Sequence, residues 1–465
     1  MKPELQNKDE FRDLISTVHK SGQRKWIYAM QPKGWFYNVR TYLSILYLIV
    51  LIGLPFIHVN GEPLFLFDLV HGKFIIFGRL FLPQDFILFG LAMLIFLLFI
   101  IVFTLAYGRV FCGWVCPQTI FMEMVFRRIE YWIEGSAKTQ MNHDHGVHTM
   151  EYFGRKVLKH VVFFVLSFLI ANIFLSYIIG IDQLKKIVTE PINYHFGGFL
   201  AIFFFSFAFY IVYAYVREIV CTVVCPYGRL QGVLLDSNSM IVAYDYKRGE
   251  TRARESRSRA ADAGDCIDCG LCVEVCPTGI DIRNGTQMEC IHCTACIDAC
   301  NLMMKKTKRA PDLIRYASER SIKVGEQPRF TYRMKVYTAV LVILASLMTF
   351  LLIRRSSVEV TLMRVPGQLL QAHPDGSVTN LYRIKLINTA NKDMQLILGS
   401  PDLKSKIEIV GKPIDTIKSG QSIEEMFFIH RDSVDITDRE LKIPIEIYNG
   451  SKRIFNQKTI FIGYN

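Results

Sequence analysis

The sequence predicts a polytopic α-helical membrane protein of five spans, with a cysteine-rich insert and a C-terminal β-sandwich. Three observations predict it. Five runs are long and apolar enough to cross a bilayer, which takes roughly 20 residues in helix. All twelve cysteines lie between positions 112 and 300. Residues 356–465 alternate apolar and polar side chains with period two. The composition agrees: 51% of the 465 residues are hydrophobic and 13% aromatic, too many for a wholly soluble chain.

The spans are expected at 42–59, 86–106, 161–180, 196–216 and 336–353. The second, within "DFILFGLAMLIFLLFIIVFTLAYG", has no charge between Asp85 and Arg109, longer than a buried core helix usually runs. The first is the weakest, because it contains Gly53 and Pro55. No cleavable signal is expected ahead of it, since about forty polar and basic residues come first. Lys and Arg orient the chain: eight in 1–40, two in 60–84, seven in 107–159 and two in 181–194. Segment 1–41 is therefore expected in the cytoplasm. The loop after the second span and the segment 217–335 join it there, and the tail 356–465 falls outside. Arg354 and Arg355, at the outer end of the last span, run against this count unless they snorkel to the interface. The net charge of +12 does not point to nucleic acid. The tail holds 14 Lys/Arg against 13 Asp/Glu, so the excess flanks the spans, where it meets anionic lipid.

Cysteines confined to the expected cytoplasmic side are metal or redox cysteines, the reverse of a secreted disulfide framework. Residues 266–300 read "CIDCGLCVEVCPTGIDIRNGTQMECIHCTACIDAC", two runs of C-x2-C-x2-C-x3-C. The pattern resembles a bacterial two-cluster ferredoxin, in which three close thiolates wrap one 4Fe–4S cube and the other run supplies the fourth. Carried over by position, Cys266, Cys269, Cys272 and Cys300 would hold one cluster, and Cys290, Cys293, Cys296 and Cys276 the other. Pro277 fits the pattern, whereas Asn301 stands where the second run often has proline. Paired zinc sites would not need the third C-x2-C step. With no iron position open to substrate, the insert (about 260–305) reads as a wire.

The remaining four cysteines form two matching segments behind the second and fourth spans, "RVFCGWVCP" and "REIVCTVVCP". Each has a basic residue, Arg109 or Arg217, then C-x3-C-P: Cys112, Cys116, Pro117 and Cys221, Cys225, Pro226. A spacing of four is expected to set both sulfurs on one helix face, with the proline ending the helix. The four-span domain 42–216 with its flanking segments thus reads as a duplicated hairpin. If the hairpins pack together, four thiols converge, Arg109 and Arg217 favour thiolate, and soft ligands of this kind select Cu(I), zinc or iron–sulfur centres. With Met122 and Met124 near, copper suits best; the bland alternative is four small buried hydrophobes.

With "LPQDFILFG", "CGWVCPQTIFMEMVFRRIEYWIEG", "CPYGRLQGVLLD", the doubled cluster motif and "DLIRYASE" (312–319), the chain resembles the cytochrome c oxidase accessory protein family (CcoG, also called FixG or RdxA). The resemblance implies an inner-membrane protein that reduces Cu(II) to Cu(I) during assembly of cbb3-type cytochrome oxidase, with oxidase subunits or copper chaperones as partners. It also implies an immunoglobulin-like tail. Two other functions compete: a quinol- or ferredoxin-linked electron donor to a periplasmic reductase, and a non-enzymatic assembly scaffold. The electron donor is not named by any motif, because no dinucleotide or P-loop fingerprint occurs.

Two further features invite a functional reading. His143, His145 and His148 in "NHDHGVH" are metal-ligand types, though loop histidines are usually just solvated. Arg248, Arg252, Arg254, Arg257 and Arg259 read as a solvated linker near lipid, or as a dock for an acidic donor. The tail shows seven strands separated by Gly, Pro, Asn and Asp turns, and without cysteine it cannot carry an inter-sheet disulfide.

Overall fold

The computed structural model describes residues 16–18, 21–59, 62–69, 72–81, 85–146, 149–255, 263–325, 331–355, 357–365, 370–374, 376–390, 393–411, 416–418, 420–436 and 438–463. Five helices have the length and composition of membrane spans: Trp35–Phe56, Phe86–Tyr107, Met150–Ile179, Phe196–Val216 and Tyr332–Arg354. All five expected spans are present, and the largest shifts are at the starts of the first and third. The first begins at Trp35 because the Asp298 carboxylate accepts the backbone N–H groups of Phe36 (3.2 Å) and Tyr37 (2.8 Å). Those donors would otherwise be orphaned at a helix start. The third begins at Met150, well ahead of the apolar run. Its extra turns carry Lys156 and Lys159, each reaching Glu134 at 3.0 Å, so ion pairs extend the helix where hydropathy alone would stop it.

The chain divides into two compact units. One comprises residues 1–53, 90–175 and 182–346. Its helical part packs around Phe121, Phe126, Phe163, Ile170 and Tyr213, with the Phe126 and Tyr213 rings stacked at 4.5 Å. The insert has its own core of Val242, Ile280, Ile282, Ile297, Leu313 and Ile314. Antiparallel strands Ile241–Tyr244 and Ile314–Ala317 close around it, pairing Ile241 with Ala317. The "DLIRYASE" stretch is therefore part of the insert's frame.

The other unit comprises residues 54–89, 176–181 and 347–465. Its tail is a two-sheet sandwich. One sheet runs Lys406–Val410, Ser422–Asp432, Ser377–Asn388, Val358–Arg364, with Gln371–Ala372 on the edge of Ser377–Asn388. The second runs Thr416–Ile417, Met394–Gly399, Glu440–Asn449, Lys452–Ile462. All seven expected strands lie within these, joined by two short ones. The inward positions, among them Tyr382, Ile384, Leu386, Phe427, Ile429, Ile445 and Phe461, form one buried core. Between the first two spans, residues 60–84 are more than a connecting loop. Small antiparallel strands form at Phe65–Asp68, Lys73–Ile76 and Arg79–Phe81, from the apolar "LFLFD" and "KFIIF" with Gly72 and Gly78 at the turns.

In the same unit Arg355 corrects the snorkelling expectation. Its guanidinium pairs with Asp85 at 2.6 Å, donates to the Leu80 carbonyl at 2.8 Å and lies 4.7 Å over the Phe81 ring. A buried counter-ion, not the lipid headgroup layer, satisfies this charge.

Candidate iron–sulfur and thiol site

The insert folds its two motifs alike. Asp268 and His292, two residues into each run, take positive φ (49° and 52°), and so do Gly270 and Thr294 (73° and 66°). Left-handed residues at matching positions reverse the chain twice, so that successive C-x2-C thiols face inward. Cys266, Cys269, Cys272 and Cys300 line one cavity. Cys276, Cys290, Cys293 and Cys296 line a second, with Cys272 at its edge. These two cradles, each with four thiols converging from both runs, have the donor set a 4Fe–4S cube requires. Cys266, Cys272 and Cys293 are buried and the others partly so, except Cys269, which is exposed. Burial pushes Cys272, Cys290 and Cys300 up to about 12 and Cys293 to about 11, so cluster binding must displace protons.

The Cys-Pro segments depart from the expected geometry. Each span ends before its cysteines, at Gly108 (φ 58°) in one case and at Arg217 (φ 52°) in the other. Cys112 lies in a short helix, Val110–Trp114, and Cys221 in a π turn, Val220–Val224. Cys116 (φ −59°, ψ 125°) and Cys225 (φ −69°, ψ 112°) are extended. Pro117 and Pro226 then begin new helices, Pro117–Ile120 and Pro226–Leu234. The paired sulfurs are thus not on one helix face. A residue before proline is driven out of the α region, and proline's missing N–H is harmless at the first helical position, so these prolines start helices.

The fold nevertheless gathers all four thiols into one neighbourhood, where Cys116 feels Cys225 and Cys221 feels Cys116, Cys112 and Cys225. Cys112 donates to the Gln231 side-chain carbonyl at 3.0 Å. Cys112 and Cys293 are buried together with Val275, Ile291, Ala295 and Ala299, and Cys221 and Cys296 pack against the same group. Backbone meets backbone here. A Cβ on Gly113 would fall 2.6 Å from the Ile291 carbonyl oxygen, and one on Gly228 would fall 2.8 Å from that of Cys221. Among the described residues no three of His, Cys, Asp or Glu converge tightly enough to grip a single ion, and that includes the ferredoxin sets.

The two arginines do not act alike. Arg109 is almost fully buried and faces the thiols, yet burial outweighs it, and the Cys112 thiol is pushed up to about 11. Cys221 rises to about 12 and Cys116 also rises, both by burial. Arg217 turns away, pairing with Glu130 at 2.7 Å and covering the Trp26 ring at 4.8 Å. Burial would raise Glu130, but Arg217 and then Lys159 overcome it and hold that carboxyl down at about 2. The expectation that both arginines favour thiolate is corrected accordingly. Met122 packs into the aromatic helical core, whose side chains already surround it.

His143 and His145 lie in the last turn of the helix Ala137–His145, edge-on to Tyr152 and Tyr28 respectively, while His148 lies outside the described residues. Arg248 is a structural tie, donating to Asp265 and to the Pro311 carbonyl at 2.7 Å. Arg257 and Arg259 fall outside the described residues. Sequence reasoning missed Gln231 and His292. Gln231 carried the clearer signal, an amide in the helix that follows the second Cys-Pro pair.

Comparison with known proteins matches a 4Fe–4S dicluster domain to residues 216–319, a 4Fe–4S binding domain to 89–138, and the IG-like fold at the C-terminal of FixG to 348–464. Protein RdxA of Cereibacter sphaeroides is 30% identical over 400 residues, 82% of this chain and 84% of its own length. Nitrogen fixation protein FixG of Rhizobium meliloti is 30% identical over 364 residues (70% and 68%), and protein RdxB of Cereibacter sphaeroides 28% over 420 (86% and 87%). A crystal structure of a FixG-related protein from Vibrio parahaemolyticus is 17% identical over 24% of this chain and all of its own, with a TM-score of 0.20.

Five membrane-type helices, a dicluster insert and an Ig-like tail define a membrane iron–sulfur protein of the oxidoreductase class. Within that class, this chain belongs to the FixG/RdxA family.

Proposed function

We propose that the protein is a cupric reductase of the bacterial inner membrane that supplies Cu(I) during assembly of a cbb3-type cytochrome oxidase, handing it to oxidase subunits or copper chaperones. One observation carries the reading: Cys112 and Cys221 of the Cys-Pro segments pack in the same buried group as Cys293 and Cys296 of the insert. In this reading Cys266, Cys269, Cys272 and Cys300 hold one cube, and Cys276, Cys290, Cys293 and Cys296 the other. Each cube supplies one-electron storage when bound.

The chain's own residues supply the remainder. Cys112, Cys116, Cys221 and Cys225 bind the copper substrate as soft donors, which favour Cu(I) over Cu(II) and raise its potential; about 59 mV is tenfold for one electron. Arg109 offsets part of the negative charge that metal-bound thiolates bring. Gly113 lets the Cys-Pro backbone touch the loop carrying Cys290 and Cys293, so only side chains separate donor and acceptor. The insert and the Cys-Pro segments lie in the cytoplasm and the sandwich in the periplasm, following the Lys/Arg count.

A second reading has its own support, the match of a 4Fe–4S binding domain to residues 89–138, which contain only Cys112 and Cys116. In that reading the four Cys-Pro thiols hold a further iron–sulfur centre, and electrons leave to another acceptor.

Anaerobic purification decides between them. Two 4Fe–4S groups give about eight irons per chain and a third would give about twelve. Reduced protein is then mixed with Cu(II) in the presence of a Cu(I)-specific chelator. Stoichiometric Cu(I) that vanishes in Cys112→Ser/Cys221→Ser, with the iron count unchanged, supports the reductase. Loss of iron in that variant, or no Cu(I) from the wild type, overturns it.

A further inference from the structure

A cavity of about 420 Å³ opens beside the insert, within the roughly 300–1,000 Å³ of small-molecule sites. One wall is apolar: Leu271, Val275 and Ala299, with Leu302 beside them. Each of the first three is the immediate chain neighbour of a cluster-cradle cysteine, namely Cys272, Cys276 and Cys300. Leu271, Val275 and Ala299 also belong to the group that packs Cys293 and Cys296. One side chain therefore separates the cavity from the ligand sets of both cradles. The lining also includes the polar residues Gln31, Lys33 and Ser136, the last with its hydroxyl accepting from the Thr139 N–H as it caps its helix. The backbone N–H of Met30 donates to the Glu274 carbonyl at 2.7 Å, which pins this stretch onto the insert.

The cavity's position narrows its occupant. Lys33 lies two residues before Trp35, where the first span begins. Trp35 is 68% exposed and Trp132, beside Tyr131 of the cavity wall, is 84% exposed. An exposed indole at the start of a span, as at Trp35, marks the headgroup level of a bilayer. A ligand suited to this lining has an apolar ring to lay on aliphatic side chains and polar atoms for Gln31, Lys33 and Ser136, at the start of a membrane span. A dinucleotide has no Gly-rich cradle in this chain.

We infer that this cavity binds the ring of a membrane quinol, which is the electron donor to the insert. The inference rests on reading the insert as a two-cluster relay. The electrons balance: a quinol oxidised to quinone releases two electrons and two protons, each cradle's cluster is reduced by one electron, and the protons leave to water through the open side. Gln31, Lys33 and Ser136 donate to the quinone oxygens.

The test uses the detergent-solubilised holoprotein, oxidised and anaerobic, without copper. An azido-ubiquinone photoprobe is expected to label peptides containing residues 30–33 or 131–137, with unlabelled decylubiquinone competing. Decylubiquinol is expected to bleach the visible absorption of the clusters. Lys33→Leu and Leu302→Trp should each weaken probe binding about tenfold, while dithionite still bleaches both variants fully. Labelling confined to other segments overturns the inference. So does equal quinol reduction of wild type and variants, or bleaching by a reduced soluble ferredoxin but not by the quinol. No readout involves copper, so the cupric reading stands or falls separately.

Discussion

The backbone N–H of Arg109 donates to Nδ1 of His292 at 3.0 Å, across 183 positions of sequence. The Arg109 guanidinium also reaches the Met288 carbonyl. One arginine thus joins the first Cys-Pro segment to the loop that carries Cys290 and Cys293, and it fixes the tautomer of His292 with the proton on Nε2. The clamp closes only because the chain at Gly108 and Gly113 can come close. At Gly108, whose φ is 58°, a Cβ would meet His292 Cε1 at 2.8 Å.

Gly113→Ala should therefore damage the junction specifically. Its Cβ meets carbonyl and backbone atoms of Ile291 and His292, which cannot swing aside as a flexible side chain would. A loss of about 1–3 kcal/mol is expected, with loss of iron from one cluster. Gly90→Ala, where nothing lies within 4 Å, serves as the control and should be neutral or slightly stabilising. Thermal melts and iron content of the two variants check this.

Cluster membership crosses between the motifs. Cys276 belongs to the first run but lines the cavity of the second, and Cys300 does the reverse. Cys276→Ser and Cys293→Ser should lose the same paramagnetic signal from the reduced protein. Cys300→Ser and Cys266→Ser should both lose the other. Matching losses within a single run, Cys266 with Cys276, would contradict the cradle assignment.

Glu130 faces Arg217 at 2.7 Å and Lys159 at 3.4 Å, all three almost fully buried. Glu130→Gln leaves the buried Arg217 without its counter-ion, while Lys159 keeps Glu134 at 3.0 Å, and should cost about 3–5 kcal/mol at neutral pH. The linkage has a definite sign. The carboxyl is depressed from 4.5 to about 2, so its contribution is complete above about 4.5 and is lost as pH falls towards 2. The stability gap between wild type and Glu130→Gln should shrink across that window. A constant gap in denaturant unfolding would show that the carboxylate charge is not what stabilises the site.

In the other unit, Arg355→Asp or Asp85→Arg alone should each cost about 1.5–3 kcal/mol, by stranding one member of a partly buried charge pair. The doubly swapped protein should recover part of that loss. Additive losses in a double-mutant cycle would show the contact to be incidental.

Much of this molecule is local in its physics and so was legible in the sequence. Apolar runs such as 86–107 can satisfy their backbone in lipid only as helix. Period-two alternation from Val358 to Ile462 makes strands wherever it occurs. The C-x2-C-x2-C-x3-C spacing sets its own turns, because the residues between the thiols are too few to do otherwise. The errors fell where one element's fate depends on another. The first span starts at Trp35 because Asp298, distant in sequence, caps it. Arg355 is satisfied by Asp85, and Arg217 is claimed by Glu130 and so withheld from the thiols. The first Cys-Pro segment meets the insert only because the backbone at Gly113 approaches that of Ile291 and His292 within a distance no side chain would permit. Composition and spacing determined which chemistry this protein carries. Tertiary packing decided which cysteines face which, because buried charge pairs and backbone contacts join residues that the sequence holds far apart, 87 positions for Arg217 and Glu130 and 270 for Arg355 and Asp85.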